Sequence, residues 1–147
     1  MSSDLEWLLL RGNNSFIVKR APSGPIFSKE PGNLLNIHSQ KFSGLANAKT
    51  IDVKPSSNGF AITHRKKSAS THAVRLAYAS TIIGSRTGSR RALGIAAQLA
   101  KRGYRPDLRA ATIARVSALI VAQKEPRAVP PKKLRGRKAK AFEISLK

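Results

Sequence analysis

The sequence has no cysteine, few aromatic residues and only seven acidic residues in 147. Without cysteine the chain can form neither a disulfide framework nor a thiolate zinc site, so zinc fingers and zinc ribbons are excluded. Aromatic residues make up 5% of the chain, which predicts a small core. No apolar run approaches the roughly 20 residues of a membrane-spanning helix, and the acidic start at residues 1–7 is the reverse of a secretory signal. We therefore expect a small, soluble, intracellular protein.

What the chain has in excess is positive charge. It carries 28 Lys and Arg residues and a formal net charge of +21. Residues 1–60 contain seven basic and four acidic side chains, whereas residues 61–147 contain 21 basic and three acidic ones. Such a chain repels itself unless a polyanion supplies the missing negative charge. The distribution predicts a core-forming first half, a second half that faces a polyanion, and nucleic acid as that partner.

The first half is predicted to hold one helix and a small antiparallel sheet. Ser2 or Ser3 can cap the helix, and we expect Trp7 in the core. Asn58-Gly59 is the strongest hairpin signal, because these residues accept the positive φ angles of a tight turn. The predicted elements are a helix at 4–11, strands at 15–20, 26–28, 50–54 and 60–65, and an irregular crossing at 30–44.

The second half is predicted to hold a long loop and two helices. Residues 68–88 are rich in Ser, Thr and Ala and are predicted to form a loop, with at most a helical turn near 73–79. Helical patterns cover 89–102 and 108–124, with Pro106 in the first turn of the second helix. The predicted apolar stripes are Leu93, Ala96, Ala97 and Ala100 on the first helix and Ile113, Val116 and Ile120 on the second.

These elements predict an α+β fold: a small antiparallel β-sheet packed with an N-terminal helix and two C-terminal helices, followed by a basic extended tail. We expect residues 1–125 to form one small nucleic-acid-binding domain. Residues 126–147 are expected to be unfolded alone and ordered only against a partner. A cationic membrane-surface helix is the alternative for 89–124, but its apolar face is mostly alanine and would insert weakly.

The sequence gives little indication of a catalytic site or of a cofactor-binding site. His38, His64 and His72 have no neighbouring carboxylate to orient them as a base. Residues 84–88 lack the Lys-Ser/Thr ending and the flanking strand of a phosphate-binding Walker loop. We therefore predict that the protein is not an enzyme, has no catalytic or metal-binding residues and takes no cofactor or small-molecule substrate.

Phosphate contacts by Lys and Arg are the predicted means of binding nucleic acid, because exposed aromatic residues for base stacking are scarce. For Tyr104, core packing is favoured over base stacking. The candidate RNA-binding residues are Arg65, Lys66, Lys67, Arg86, Arg90, Arg91, Lys101, Arg102, Arg105, Arg109, Arg115, Lys132, Lys133, Arg135, Arg137 and Lys138.

The junction between the two predicted helices carries the most specific expectation. Pro106 fixes the turn, and Asp107 is expected to cap the second helix. Arg105 and Arg109 are four residues apart and have few carboxylates nearby in the sequence. Both arginines are therefore expected to contact RNA and not to form ion pairs.

Five runs of the sequence are distinctive in their order and spacing. They are 1–11 (MSSDLEWLLLR), 14–20 (NSFIVKR), 27–34 (FSKEPGNL), 49–55 (KTIDVKP) and 104–109 (YRPDLR). Together they resemble the eukaryotic large-subunit (60S) ribosomal proteins of the L28 family. The resemblance extends over residues 1–126, whereas residues 84–88 and the tail after 126, including 142–146 (FEISL), depart from the family pattern.

The resemblance implies a structural protein of the cytoplasmic large ribosomal subunit, without enzymatic activity or cofactor. It implies binding to large-subunit ribosomal RNA, contacts with neighbouring ribosomal proteins, no membrane association, and assembly in the nucleolus. Two alternatives stay open. A ribosome-assembly factor of related fold would be expected to carry a cysteine-based metal site and an acidic extension, and a nuclear DNA-packaging protein would be expected to have a longer and more repetitive tail.

Overall fold

A computed structural model of the protein describes residues 2–20, 22–70, 72–101, 103–125 and 128–129, with only the backbone of Lys101. The α+β class is confirmed, and the N-terminal helix and both C-terminal helices lie where the sequence predicts them. All but two residues of the predicted tail at 126–147 lie outside the described ranges. The elements are α1 (Ser3–Leu10), β1 (Ile17–Lys19), β2 (Ile26–Ser28), β3 (Ile51–Ser56), β4 (Gly59–Arg65), β5 (Tyr78–Gly84), α2 (Ser89–Lys101), a 3-10 turn (Pro106–Leu108) and α3 (Arg109–Gln123).

The strands form two antiparallel sheets instead of the single expected one. Strands β1 and β2 pair with each other, and β3, β4 and β5 form a second sheet in that order. The reason lies at the free edge of β2. The backbone N–H of Ser28 donates to the Asn36 carbonyl at 2.8 Å, and Phe27 forms an isolated bridge with Ile37. The irregular crossing therefore occupies the edge that β3 would need.

The predicted hairpin joins β3 to β4. Ser56 pairs with Gly59 across a two-residue loop, Ser57-Asn58. Gly59 has a φ of +136°, and a Cβ added there would lie 2.0 Å from the Ile83 carbonyl oxygen. Glycine is thus required both by its backbone angle and by the close approach of β5. The expectation of positive φ at both turn residues is wrong for Asn58, which adopts an ordinary negative value.

The expectation of a loop over residues 68–88 is wrong, because this segment contains a third strand. Strand β5 pairs antiparallel with β4 over its whole length, from Arg65 opposite Tyr78 to Gly59 opposite Gly84. The described residues near 73–79 hold no helical turn. On the side of β5 that carries the buried Ile83, Ala79 is small and Thr81 is polar and exposed, so the strand is specified by its pairing with β4 and not by an apolar pattern of its own.

Helices α2 and α3 cover one face of the three-stranded sheet. The core joins Val53, Phe60 and Ile62 of the sheet to helix residues that include Ala96 and Val116. Small side chains on α2 let the two helices approach closely, and the buried residues of its stripe are Ala92, Ala96 and Ala100, with Leu93 and Ala97 half-buried. No helix within the described ranges is both long and apolar enough to cross a membrane.

Helix α1 lies outside this core. The Ser2 hydroxyl accepts from the Asp4 N–H at 3.3 Å, which confirms the predicted cap. No residue of α1 is buried, so the placement of Trp7 in the core is wrong. Instead the Trp7 ring stacks on His38, with 4.8 Å between centroids, and His38 Nε2 bonds the Arg11 carbonyl at 3.0 Å. The helix therefore covers the irregular crossing.

Candidate nucleic-acid interface

A long stretch of the chain contains no carboxylate. Between Asp52 and Asp107 the sequence contains 11 Lys and Arg residues and no acidic one. This stretch forms β4, β5 and α2 with their connections. Two ion pairs occur in the part of the chain that the structure describes: Lys54 Nζ to Asp52 Oδ2 at 3.0 Å, and Arg105 Nη2 to Asp107 Oδ2 at 2.8 Å. The other cations here leave an uncompensated positive potential that attracts a polyanion.

Three of the predicted phosphate contacts lie together at the end of β4. Arg65 is half-buried at the end of the strand, and Lys66 and Lys67 follow it as exposed residues. Together with Lys49 they line a groove of about 560 Å³ against α1. We call this the α1–β4 groove, and its apolar wall contains Leu9, Leu10 and Leu45. The Lys66 N–H donates to the Ala77 carbonyl at 2.8 Å, and this bond holds the backbone of Lys66 beside the start of β5.

A second group lies where β5 turns into α2, at what we call the β5–α2 corner. Arg86, Arg90 and Arg91 are exposed there. A depression of about 270 Å³ is lined by Arg86, by Lys124 and by residues 85–89. The Gln123 side chain donates to the Gly59 carbonyl at 2.5 Å and so brings the end of α3 to this corner. The sequence does not predict that Lys124 belongs to this group, because nothing in it indicates that residues 86 and 124 meet.

The remaining predicted residues are not brought into these two groups. Arg109 is exposed at the start of α3. Arg115 is half-buried and lines a depression that also contains Glu30 and Asp52, and these carboxylates weaken the attraction of that depression for phosphate. The side chain of Lys101 and the residues Arg102, Lys132, Lys133, Arg135, Arg137 and Lys138 lie outside the described part.

Arg105 requires a correction. Its guanidinium donates to both carboxylate oxygens of Asp107, at 2.9 and 2.8 Å, and to the carbonyls of Lys49 and Lys41, each at 2.9 Å. The expectation that Arg105 has no carboxylate partner is therefore wrong. Because its Nε and both terminal nitrogens are engaged within the protein and its side chain is 15% exposed, we assign Arg105 a structural role and leave it out of the candidate interface.

Asp107 also has a different role from the one expected. Neither the 3-10 turn nor α3 has a side-chain cap, so the capping role predicted for Asp107 is wrong. Its hydrogen bonds with Arg105 hold the pKa of the Asp107 carboxyl below its usual range, against a smaller opposing effect of burial. The carboxylate therefore serves to orient the guanidinium that ties this corner to the chain near residues 41 and 49.

Tyr104 packs in the core, as favoured from the sequence. Its hydroxyl donates to the backbone carbonyl of Arg65 and lies 3.4 Å from that of Thr50. Burial raises the pKa of the Tyr104 hydroxyl, and its hydrogen bonds and the charge of Arg105 oppose that rise only in part. Tyr104 thus joins the chain between α2 and α3, residues 103–108, to the last residue of β4 and helps to position the α1–β4 groove. We call residues 103–108 the α2–α3 corner.

Replacing Tyr104 with Phe is expected to destabilise the protein by about 1–2 kcal/mol, because the ring still packs while a buried carbonyl loses its donor. Thermal unfolding followed by circular dichroism measures this. Tyr78→Phe is the matched control, because Tyr78 is an exposed tyrosine on β5, and its melting temperature should stay that of the wild type. Equal stability of the Tyr104 variant would contradict a structural role for the hydroxyl.

Two of the three histidines pack against aromatic rings. His38 stacks on Trp7, and the His64 ring meets Tyr104 edge-on at 5.8 Å. Within the described ranges, no three His, Cys, Asp or Glu side chains come together in a way that could hold a metal ion. The arrangement at these residues supports packing and does not assemble a base with an orienting carboxylate.

A small α+β domain with two groups of exposed cations has the surface of a polyanion-binding protein. The model of the Ribosomal L28e protein family matches residues 5–122, which include every helix and strand except the first residues of α1 and the last of α3. The chain belongs to the ribosomal L28e protein family. The resemblance carried by the five sequence runs is thereby confirmed.

Curated relatives agree with this assignment. The chain is 31% identical over 131 residues to the large ribosomal subunit protein eL28 of Schizosaccharomyces pombe, covering 88% of this chain and 98% of that protein. It is 35% identical over 130 residues to the protein of the same name from Dictyostelium discoideum, covering 84% of this chain and 93% of that protein. A shorter match, 36% identical over 67 residues, is found with eL28 of Caenorhabditis elegans and covers 46% and 53% of the two chains.

Proposed function

We propose that this protein is a structural constituent of the cytoplasmic large ribosomal subunit and binds ribosomal RNA through phosphate contacts. The observation that carries the proposal is the family match over residues 5–122. Relatives that bear the name of a large-subunit protein align with this chain along nearly their whole length. The proposed role depends on binding and not on catalysis, so no enzymatic activity and no cofactor belong to it.

The α1–β4 groove and the β5–α2 corner are the proposed contacts with RNA phosphates. Each presents at least three cations, and the described residues that line the two sites include a single carboxylate, that of Glu6. Lysine and arginine at such surfaces fix a protein on nucleic acid without reading its sequence. Neighbouring large-subunit proteins are the other proposed partners, and the proposed place of assembly is the nucleolus.

Sedimentation of the tagged protein from eukaryotic cells tests this function. The proposal expects the protein in mature large subunits and in translating ribosomes. Restriction to nuclear precursor particles would instead favour the ribosome-assembly factor, and co-purification with chromatin would favour the DNA-packaging protein. The absence of cysteine weighs against the assembly factor, since a thiolate metal site cannot form.

A chain that ends at Glu125 is expected to remain folded and to bind RNA about tenfold more weakly, because the removed residues carry eight Lys and Arg that would neutralise phosphates. All residues of the described core cluster lie between Leu34 and Ile120. Thermal unfolding and RNA binding of the two chain lengths measure the two effects. A large fall in melting temperature would show that the tail, including residues 142–146, belongs to the fold, and would contradict the proposed division into residues 1–125 and 126–147.

A further inference from the structure

The outer face of the three-stranded sheet carries exposed residues that the proposed phosphate contacts do not use. Ile83 of β5 enters the core, so the alternation of a strand places Tyr78, Ser80 and Ile82 on the opposite face. Tyr78 is 42% exposed and Ile82 is 68% exposed. A tyrosine and an isoleucine thus stand on the face of the sheet that α2 and α3 do not cover.

The strand pairing sets what surrounds these two side chains. Arg65 of β4 lies directly opposite Tyr78, and Ala61 lies opposite Ile82. Between them Thr63 faces Ser80. Side chains directly opposite each other in an antiparallel pair lie about 5 Å apart, so the Arg65 side chain begins beside the tyrosine ring. The small residues form a shallow floor, above which Tyr78 and Ile82 project.

The charge around this face indicates the kind of partner. Lys66 and Lys67 follow Arg65, and the exposed Arg75 precedes β5. Leu76, which is 82% exposed, extends the apolar surface toward these cations. Unpaired RNA presents phosphates to cations and flat, apolar base faces to aromatic rings. On the same face, Asp52 of β3 lies opposite Thr63 and is paired with Lys54 at 3.0 Å. With this carboxylate already paired, the exposed ring, its apolar neighbour and the four cations are complementary to that combination.

We propose that this surface binds unpaired bases of RNA. We call it the Tyr78–Ile82 face, and it consists of Ala61, Thr63 and Arg65 of β4 with Tyr78, Ser80 and Ile82 of β5. A base stacks on the Tyr78 ring, Ile82 contacts the next base, and Arg65 binds the adjoining phosphate. This inference rests on the proposed function for the identity of the partner and adds that a single-stranded segment is recognised. It departs from the expectation that aromatic stacking contributes little.

Binding of the full chain to three RNA probes tests the inference. The probes are an unpaired oligomer of roughly 12 nucleotides, which is within the site size of such surfaces, the same oligomer with central abasic sites, and a duplex of equal length. Tyr78→Ala is expected to weaken binding to the unpaired oligomer about tenfold, the size of one lost base–aromatic stack. Binding to the abasic and duplex probes should stay that of the wild type.

Two variants serve as controls. Tyr78→Phe keeps the ring and should bind all three probes as the wild type does. Val121→Ala removes an apolar side chain that is 67% exposed on α3, away from the sheet, and should change nothing. An equal loss on all three probes for Tyr78→Ala, or no loss on any of them, overturns the inference while RNA binding by phosphate contacts still stands. Failure of the wild-type chain to bind any probe overturns the proposed function as well.

Photocrosslinking keeps the inference testable if the Tyr78→Ala chain does not fold. Benzoylphenylalanine at position 82 retains a large apolar side chain at an exposed site and can be placed in purified large subunits. Crosslinks from this position to ribosomal RNA are the expected result. Crosslinks to a ribosomal protein instead would show that the Tyr78–Ile82 face is a protein-docking surface and would overturn the inference.

Discussion

Raising the salt concentration from about 50 to 200 mM is expected to weaken RNA binding by this protein about a thousandfold or more. The cause is the excess of cations between residues 53 and 106, which contain 11 Lys and Arg residues, of which Lys54 and Arg105 form ion pairs within the described part of the chain. If the protein neutralises about 6–10 phosphates, the counterions released on binding make the affinity fall steeply with salt. Fluorescence anisotropy of a labelled ribosomal RNA fragment across a salt series measures the slope.

A double variant tests which cations contribute to the salt dependence of RNA binding. Replacing both Arg86 and Lys124 with Gln should reduce the slope by about two, since each phosphate contact contributes about one. Lys54→Gln is the matched control, because Lys54 is an exposed lysine already paired with Asp52, and it should leave the slope unchanged. A flat salt dependence of the wild type would contradict binding through phosphates, and an equal effect of the control would contradict the β5–α2 corner as a site.

The helices and the hairpin could be predicted because their signals are local. Alanines at a helical spacing fix the buried stripe of α2, and the glycine at position 59 marks the turn between β3 and β4. The charge imbalance is likewise visible in the sequence without any structure. The residues that determine these features are close together in the sequence. A sequence pattern is therefore enough to predict them.

The features that the sequence does not predict depend mostly on residues far away in the chain. Strand β5 needs β4 beside it, since of its residues only Ile83 is buried and it has little apolar pattern of its own. The stacking of Trp7 on His38, outside the core, could not be foreseen, because the sequence of a helix does not show what lies against it. Arg105 bonds carbonyls 56 and 64 residues away, and the pairing of Arg65 with Tyr78 depends on the register of β5.

Hydrogen bonds connect the α2–α3 corner to the α1–β4 groove. Tyr104 bonds the carbonyl of Arg65, and Arg105 bonds that of Lys49. Both of these receiving residues line the groove. The α2–α3 corner therefore fixes the backbone of Arg65 and Lys49, two of the cations that line the groove. We expect Arg105 to affect the stability of the protein directly and its RNA binding only through the fold.

Arg105→Ala is expected to destabilise the free protein by about 2–3 kcal/mol, since hydrogen bonds to charged groups stabilise by about 1.5–3 kcal/mol and this side chain also leaves Asp107 without its partner. For a domain of this size, the melting temperature should fall by roughly 10 °C. Arg109→Ala is the matched control. Arg109 is exposed, and no side-chain hydrogen bond of it occurs within the described residues, so its loss should leave the melting temperature unchanged and reduce the salt slope of RNA binding by about one.

The pH dependence of the same melts identifies the interaction that is lost. Arg105 lowers the pKa of Asp107 in the folded protein, so the ionised carboxylate contributes stability above its unfolded pKa and loses it as the pH falls through the folded pKa. The difference in melting temperature between wild type and Arg105→Ala should therefore shrink as the pH falls below about 4. If Arg105→Ala instead has the melting temperature of the wild type at neutral pH but binds RNA more weakly, the guanidinium contacts RNA and the structural role assigned to it is wrong.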